Sequence, residues 1–347
     1  MSDFITSVNA TIRLVRDIAN GGDKPIDLEE YIKSAIEKTV TKEYLDNLDI
    51  AETKSTPEYK MIDGADVLFA NGTPIVIEAP EGNAKGCIAK WDGGEQALSA
   101  AATVFGGRHD SDIVTNTSIT VNGGTLQSIF GGGLHKSHVK NSVVVINGGN
   151  IRVVMGGGAN YFVRNCDCSQ GSVRYEGDAK ESPCRVDNAD VTVNGGDIFL
   201  LYGGPESYGY TGKTKLTVNN TPTISYLTPG GSNGYTGFAE LNLSGIPKIN
   251  ILQGVNRGTI DESIVNINGG NIAKYFVGGE TPFSGSSTSP NGNDASGKLE
   301  KTTVNVGYGV SIKEASYGGY DYNAINKDTP VLAKYKVTGI DITLPEA

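Results

Sequence analysis

The sequence predicts an all-β protein, a right-handed parallel β-helix (a solenoid of about 25 residues per rung) preceded by a short α-helical segment. Three observations predict this fold class. The 347 residues include 47 glycines, a composition typical of turn-rich β structure. A motif built on Asn-Gly-Gly recurs along most of the chain. Helical spacing of apolar residues is confined to residues 1–50.

The repeat is a strand that ends in Asn-Gly-Gly or a close variant. The stretch "VNGGTLQSIFGGG" at 121–133 returns as "INGGNIRVVMGGG" at 146–158. The Asn position recurs at intervals of 25, 47, 25, 25, 24 and 39 residues, at Asn122, Asn147, Asn194, Asn219, Ser244, Asn268 and Gly307. This period without a helix excludes ankyrin, tetratricopeptide and leucine-rich repeats. Another β-solenoid, or a propeller with short blades, remains the structural alternative.

Each repeat predicts two strands with apolar residues that point inward. Two apolar columns precede the Asn positions: Ile119, Val144, Val191, Leu216, Leu241, Val265, Val304, and Val121, Ile146, Val193, Val218, Leu243, Ile267, Val306. A second strand follows with Leu126, Ile151, Ile198 and Ile272, then Ile129, Val154, Leu201 and Ile251. We expect the glycines at both ends to occupy corners that need a positive φ.

Residues 1–50 differ from the rest of the chain. A heptad seam of Ile5, Val8, Ile12, Val15 and Ala19 predicts a short helix, and a second helix begins after Pro25. So short an amphipathic helix needs partners in water, which favours an oligomerisation or attachment segment. A helical hairpin packed on its own chain is the alternative.

The remaining chain divides into a linker and a body. Residues 51–62 are expected to form the linker, and residues 63–347 the β-helix. Inserted loops are predicted near 161–186 and 281–298, where the interval between repeats lengthens. The first of these regions is either a loop or one degenerate rung.

Composition excludes several partners. The chain carries 29 Lys and Arg against 39 Asp and Glu, a net charge of −10, and has no basic block. Nucleic acids and anionic membranes need clustered cations, so neither is an expected partner. With no apparent signal peptide or long apolar run, we expect synthesis in a cytoplasm without membrane insertion. Four cysteines are too few for a disulfide scaffold.

Tyrosines are the candidate contacts for a ligand. The motif "GYTG" occurs at 209–212 and 234–237, one rung apart, which predicts that Tyr210 and Tyr235 lie one above the other outside. Tyr202, Tyr208 and Tyr226 belong to the same half of the chain. Aromatic faces and hydroxyls suit sugar rings, although tyrosine is also a common strand residue that simply packs.

Other polar residues give weaker signals. His109, His135 and His138 are weak metal candidates, and no metal or other cofactor is expected. Cys166, Cys168 and Cys184 share the first inserted loop, but their spacing falls short of a zinc site. Their redox state stays open.

Catalysis would require a pair of acids. Asp187, Asp190, Asp197 and Glu206 are candidates, and Asp190 and Asp197 are expected on adjacent strands of one rung. Two carboxylates about 5 to 9 Å apart hydrolyse glycosides. Acidic residues are common in this chain and no motif singles out a pair, so no enzymatic activity is predicted.

The "VNGG" and "FGGG" rungs and the seam from Ile5 to Ala19 resemble the β-helical fibre and spike proteins of tailed bacteriophages. The small size and the lack of a bulky adaptor domain resemble a head fibre, as decorates the capsids of crAss-like phages, more than a large tailspike. The resemblance covers the architecture of the whole chain. It implies a homotrimer whose amino-terminal segment fixes it to the virion while the β-helix faces the host.

The resemblance therefore implies a structural virion protein. The expected partners are two further copies of the chain, a capsid or tail protein bound by residues 1–50, and host surface polysaccharide. Many copies of the fibre, each binding the polysaccharide weakly, would together bind it tightly through avidity. The alternatives are a glycan-degrading tailspike, a hydrolase or lyase, and a non-viral β-helical adhesin or cytosolic protein. Attachment to head or tail stays open.

Overall fold

The computed structural model describes residues 56–62, 65–82, 85–109, 113–159, 179–206, 208–256, 258–278, 298–316 and 336–344. The chain divides into two units, Met1–Lys54 and Ser55–Ala347. The first unit lies outside the described residues, and with it the seam of Ile5, Val8, Ile12, Val15 and Ala19. The helical segment and its role in oligomerisation therefore remain predictions.

The second unit is nearly all β structure in two long sheets. Sheet A has 10 strands in the order β1 (Glu58–Ile62), β2 (Ala65–Phe69), β6 (Thr103–Phe105), β8 (Thr125–Phe130), β10 (Asn150–Met155), β12 (Asp197–Tyr202), β14 (Thr223–Thr228), β16 (Lys248–Gln253), β18 (Asn271–Phe276) and β20 (Ser311–Ser316). Sheet B has 11 strands in the order β21 (Lys336–Thr343), β19 (Lys298–Val306), β17 (Thr259–Ile267), β15 (Tyr235–Leu243), β13 (Tyr210–Val218), β11 (Arg185–Val193), β9 (His138–Ile146), β7 (Ile113–Val121), β3 (Ile75–Glu78), β4 (Cys87–Trp91) and β5 (Gly94–Leu98).

From β6 onward the described strands alternate between the sheets, and each strand from β8 to β19 pairs in parallel with the strands two before and two after it in the chain. A chain that coils repeatedly through two sheets produces this order, so the topology is that of a β-solenoid. Among the described strands, antiparallel pairing is limited to the start, where β1 pairs with β2 and β4 pairs with β3 and β5. Strand β1 lies within the predicted linker of residues 51–62, which is therefore shorter than expected.

The longer intervals between repeats are insertions and not degenerate rungs. Strand β11 pairs directly with β9, Arg185 opposite His138, and β12 pairs directly with β10. Strand β19 likewise pairs directly with β17, Thr259 opposite Lys298. No further rung therefore separates β9 from β11 or β17 from β19.

The main core lies between the sheets and contains the predicted inward columns. The column from Ile119 to Val304 is at most 1% exposed at every position, and the column from Val121 to Ile267 is fully buried. One assignment was wrong. Leu252, paired with Leu227, takes the inward position that was predicted for Ile251. The strand "KINILQ" has apolar residues on both faces, so alternation alone does not identify the inward one.

Glycine is required at the two corners for different reasons. Gly124 and Gly149, the second glycines of their Asn-Gly-Gly turns, have φ of 96° and 104°, as predicted. The corner after sheet A depends on space instead. A Cβ on Gly131 would lie 2.6 Å from the Gly156 carbonyl oxygen and would overlap the Ser142 hydroxyl.

Amide side chains also stack in register. Asn147 Nδ2 donates to Asn122 Oδ1 at 2.9 Å, and Asn194 Nδ2 donates to Asn147 Oδ1 at 2.9 Å. Asn219 Nδ2 donates to Asn194 at 3.2 Å, and the Ser244 hydroxyl continues to Asn219 at 2.7 Å. The repeated Asn thus forms a hydrogen-bonded ladder along the solenoid, which we call the Asn ladder.

Candidate functional site

The rings of Tyr210 and Tyr235 stack, as the spacing of the two "GYTG" motifs indicates. Their centroids are 5.4 Å apart and their planes differ by 17°. A cation lies over each ring: Arg185 Cζ is 4.2 Å from the Tyr210 centroid, and Lys180 Nζ is 4.8 Å from the Tyr235 centroid. We call these four residues the tyrosine–cation stack.

Two carboxylates complete the stack. The Tyr235 hydroxyl donates to Asp261, whose Oδ2 lies 3.6 Å from Lys180 Nζ. Arg185 Nε lies 3.6 Å from Asp187 Oδ1. Because Lys180 belongs to the short 3-10 helix Ala179–Glu181, these contacts hold that helix against sheet B.

The stack leaves little aromatic surface for a ligand. In the register of sheet B, Arg185 precedes Tyr210 and Tyr235 follows it, so both faces of the Tyr210 ring are covered. Tyr235 is only 6% exposed. A sugar ring could reach edges and hydroxyls here, but not the flat faces on which sugars pack. Glycan contact at these two residues remains a prediction.

The other predicted tyrosines have separate environments. Tyr202 is 1% exposed and its hydroxyl accepts a hydrogen bond from Asn256 Nδ2 at 2.6 Å, so burial removes it as a surface contact. Tyr208 is half-buried, with φ of 65°, and its backbone N–H donates to the Asn233 carbonyl at 2.7 Å. Tyr226 is half-buried on the outer face of sheet A.

Tyr226 belongs to an aromatic patch that the sequence did not indicate. Phe199 is 38% exposed and meets the Tyr226 ring edge to face, with centroids 5.5 Å apart. Arg152 Cζ lies 5.9 Å from the Phe199 centroid. Leu200 and Ile251 flank Tyr226 in the sheet register. We call Arg152, Phe199 and Tyr226 the sheet A patch.

Beside this patch, two facing columns change from apolar to polar along the solenoid. The first column consists of the last residues of the sheet A strands. The second consists of the residues, a few positions later in each rung, that form isolated parallel bridges with one another, from Leu134 to Asn256. The first two rungs place Phe130, Leu134, Met155 and Ala159 in a second apolar core. The next three place side chains with polar groups in the same positions: Tyr202, itself a member of the second core, with Glu206, Thr228 with Ser232, and Gln253 with Asn256. We call these six residues the polar columns. The first column becomes apolar again at Phe276.

Hydrogen bonds join the polar columns across rungs. Gln253 Nε2 donates to Thr228 Oγ1 at 2.9 Å. Asn256 Nδ2 reaches the Tyr202 hydroxyl, and also Ser232 Oγ at 3.5 Å. Asn256 Oδ1 is buried and has no hydrogen-bond partner among the described residues. An acceptor in this state is costly unless a donor reaches it.

Glu206 is the acid of the polar columns. It takes the ladder position held by Leu134 and Ala159 in earlier rungs, where side chains enter the second core. Loss of hydration on burial raises the pKa of Glu206 to about 7. The residue keeps partial exposure, so the carboxyl group stands at the boundary between the second core and solvent.

The histidines do not gather. His109 Nε2 is 2.8 Å from Lys60 Nζ and 3.4 Å from Glu58 Oε2. His138 Nε2 is 3.0 Å from Asp187 Oδ2, and His135 has a left-handed backbone with φ of 60°. Within the described ranges no group of three His, Cys, Asp or Glu side chains is placed to hold a metal ion.

The suggested acid pair is divided between the sheets. Asp190 lies on the outer side of β11 in sheet B, between the inward Ala189 and Val191. Asp197 is the exposed first residue of β12 in sheet A. Packed sheets are about 10 Å apart with the core between them. The two acids lie on the consecutive strands β11 and β12 of one rung, as expected, but the corner between these strands places them in different sheets.

No protein-family model, curated protein or solved structure matches this chain. Among the described helices and strands, no helix is both long and apolar enough to span a membrane. The residues that sequence reasoning missed are Phe199, Thr228, Ser232, Gln253 and Asn256. Aligning the rungs on the last residue of each sheet A strand would have revealed the change from Phe130 and Met155 to polar side chains.

Proposed function

We propose that this chain is a structural protein of a tailed-bacteriophage virion, a homotrimeric fibre. Residues 1–50 assemble three chains and attach them to a capsid or tail protein. The β body, a right-handed coil of about 25 residues per rung, faces the bacterial surface and binds its polysaccharide.

The observation that supports a fibre is the continuous register of like side chains through successive strands. The Asn ladder, the Phe69, Phe105 and Phe130 ring stack and the tyrosine–cation stack all run along the solenoid. In such an array each rung contacts only its neighbours, and the outer faces carry residues that do not serve the core. This arrangement suits a protein that holds binding surfaces at a distance from its attachment point. Three copies would bind more tightly than one, because their weak contacts act together.

The test is a deletion of residues 2–22 in the genome that encodes the chain. We expect the remaining chain to fold and accumulate in the lysate but to be absent from purified particles, as judged by immunoblot. A matched deletion in the second insertion, residues 283–295, should leave incorporation intact. Particles that carry the first deletion variant at the normal level would refute attachment through the amino terminus.

A further inference from the structure

We propose that the polar columns and the sheet A patch form a binding site for one saccharide unit, in which Glu206 and Ser232 bind sugar hydroxyls and the Tyr226 ring packs on the apolar face of the sugar. The inference rests on the proposed function as a glycan-binding fibre. It relocates the contact from the tyrosine–cation stack on sheet B to the outer face of sheet A.

The aromatic ring and the polar groups lie on the same side of sheet A. Residues two apart on a strand point the same way, so Tyr226 shares its side with Thr228 of the polar columns. The bridge row of Glu206 and Ser232 stands opposite this strand end, as Leu134 stands opposite Phe130 in an earlier rung. The partly exposed members, Tyr226, Glu206 and Ser232, are the ones that a ligand can reach.

The polar columns fill this space with side chains that are less stable there than apolar ones. The preceding rungs show that Phe, Leu, Met and Ala side chains pack the same positions as a dry core. Replacing them by Tyr202, Glu206 and Asn256 leaves a carboxyl group short of water and one amide oxygen without a partner. Buried polar groups of this kind cost about 1–3 kcal/mol each. Such departures from local packing rules concentrate at functional sites.

The chemistry of the columns favours a ligand that brings hydroxyl donors. Asn256 Oδ1, which is buried without a hydrogen-bond partner among the described residues, is an acceptor, and the Glu206 carboxylate is a second acceptor that burial separates from water. Asn256 Nδ2 approaches Ser232 Oγ, which leaves the Ser232 proton free to be donated. A sugar offers both donors and acceptors on its rim and C–H groups on its face, which match a polar wall beside an aromatic ring.

A divalent cation fits less well. Calcium takes six to eight oxygen ligands, usually with several carboxylates. The polar columns contain a single acid, Glu206, and no group of three His, Cys, Asp or Glu side chains occurs in the part of the chain that the structure describes. A cation also gives no role to the Tyr226 and Phe199 rings beside the columns.

The test is saturation-transfer NMR on the full chain with four free sugars, glucose, galactose, rhamnose and N-acetylglucosamine. We expect saturation transfer to at least one of them. Tyr226→Leu and Glu206→Met should each weaken binding by about tenfold or more, the loss of one good hydrogen bond or stacking contact. Tyr308→Leu and Glu240→Gln, on other parts of the surface, are the matched controls and should leave the signal unchanged.

Thermal unfolding of the variants distinguishes a lost binding site from a lost fold. Glu206→Met should bind worse while melting at the same or a higher temperature, because it removes a dehydrated carboxyl group. Absence of transfer to all four sugars, or equal binding by both site variants and wild type, would overturn the site. Neither result touches trimerisation or particle attachment, so a failed site and a failed fibre function remain distinguishable.

Discussion

At the scale of single residues, the Asn ladder shows how one position of the repeat stabilises the solenoid. Asn194 is an interior member: it donates to Asn147 and accepts from Asn219. Asn122 is an end member whose Oδ1 accepts from Asn147. An Asn side chain inside the ladder therefore donates one ladder hydrogen bond and accepts another, whereas Asn122 at the end only accepts one.

Asn194→Asp should destabilise the protein by about 1–2 kcal/mol, because the carboxylate cannot donate to Asn147 and places two acceptors in contact. Asn122→Asp is the matched control, since it keeps the acceptor that Asn147 uses. Urea unfolding at neutral pH should show a lower midpoint for the first variant and little change for the second. Equal effects at both positions would contradict the directional ladder.

Glu206 predicts a pH dependence with a defined sign. Burial raises its pKa from 4.5 to about 7, so the folded state binds the proton more tightly than the unfolded state does. The stability from this group is complete below pH 4.5 and is lost as the pH rises through 7. The loss is at most about 3 kcal/mol, and partial exposure reduces it.

The comparison that isolates this effect is Glu206→Gln against wild type in urea unfolding between pH 4 and pH 8. The variant should gain stability relative to wild type as the pH rises through 7. A difference between Glu206→Gln and wild type that does not change with pH would contradict the burial of this carboxyl group.

At the scale of elements, the tyrosine–cation stack connects an insertion to sheet B. The short helix Ala179–Glu181 contributes Lys180, and β13, β15 and β17 contribute Tyr210, Tyr235 and Asp261. Cation–π contacts and stacked rings are each worth about 0.5–1.5 kcal/mol. The stack therefore stabilises the packing of the helix on the sheet.

A double-mutant cycle measures the contact between helix and sheet. Tyr235→Leu should cost about 2 kcal/mol and Lys180→Met about 1 kcal/mol, with a coupling of about 0.5–1 kcal/mol because each removes the other's partner. Tyr308→Leu, at a residue that is 75% exposed, should cost little. Strictly additive costs for Tyr235 and Lys180 would show that Lys180 does not lie over the ring in solution.

The glycine corners give a second prediction at this scale. Gly131→Ala should lower the free energy of unfolding by about 2 kcal/mol or more, because its Cβ meets the Gly156 carbonyl oxygen and backbone must shift. Combining it with Ser142→Gly relieves only the side-chain overlap, so most of the loss should persist. Full rescue by Ser142→Gly, measured by thermal unfolding, would assign the conflict to the hydroxyl instead.

Sequence patterns predicted the elements better than they predicted the site. The recurring Asn marks each rung and the apolar columns identify the inward faces, because strand periodicity and burial act on residues close in the chain. Arg185 lies 25 residues before Tyr210 and Lys180 lies 55 residues before Tyr235, and Lys180 belongs to the insertion that precedes β11. The polar columns depend on which residues face each other around a corner, as Tyr202 faces Glu206. Composition and spacing do not contain that geometry.

At the scale of the whole molecule, one core keeps the same apolar composition from rung to rung and the other does not. The main core remains apolar from Ile119 to Val304, while the second core changes from Phe130 and Met155 to the polar columns. In the proposed fibre, the main core stabilises the fold, the polar columns bind saccharide, and residues 1–50 assemble the trimer.

The mass of the full chain in solution shows how many copies assemble. Light scattering coupled to size exclusion should give three times the 36.4 kDa of one chain. A chain that begins at Ser55, the start of the second unit, should give fewer than three copies. A single-chain mass for the full protein would contradict the trimeric fibre.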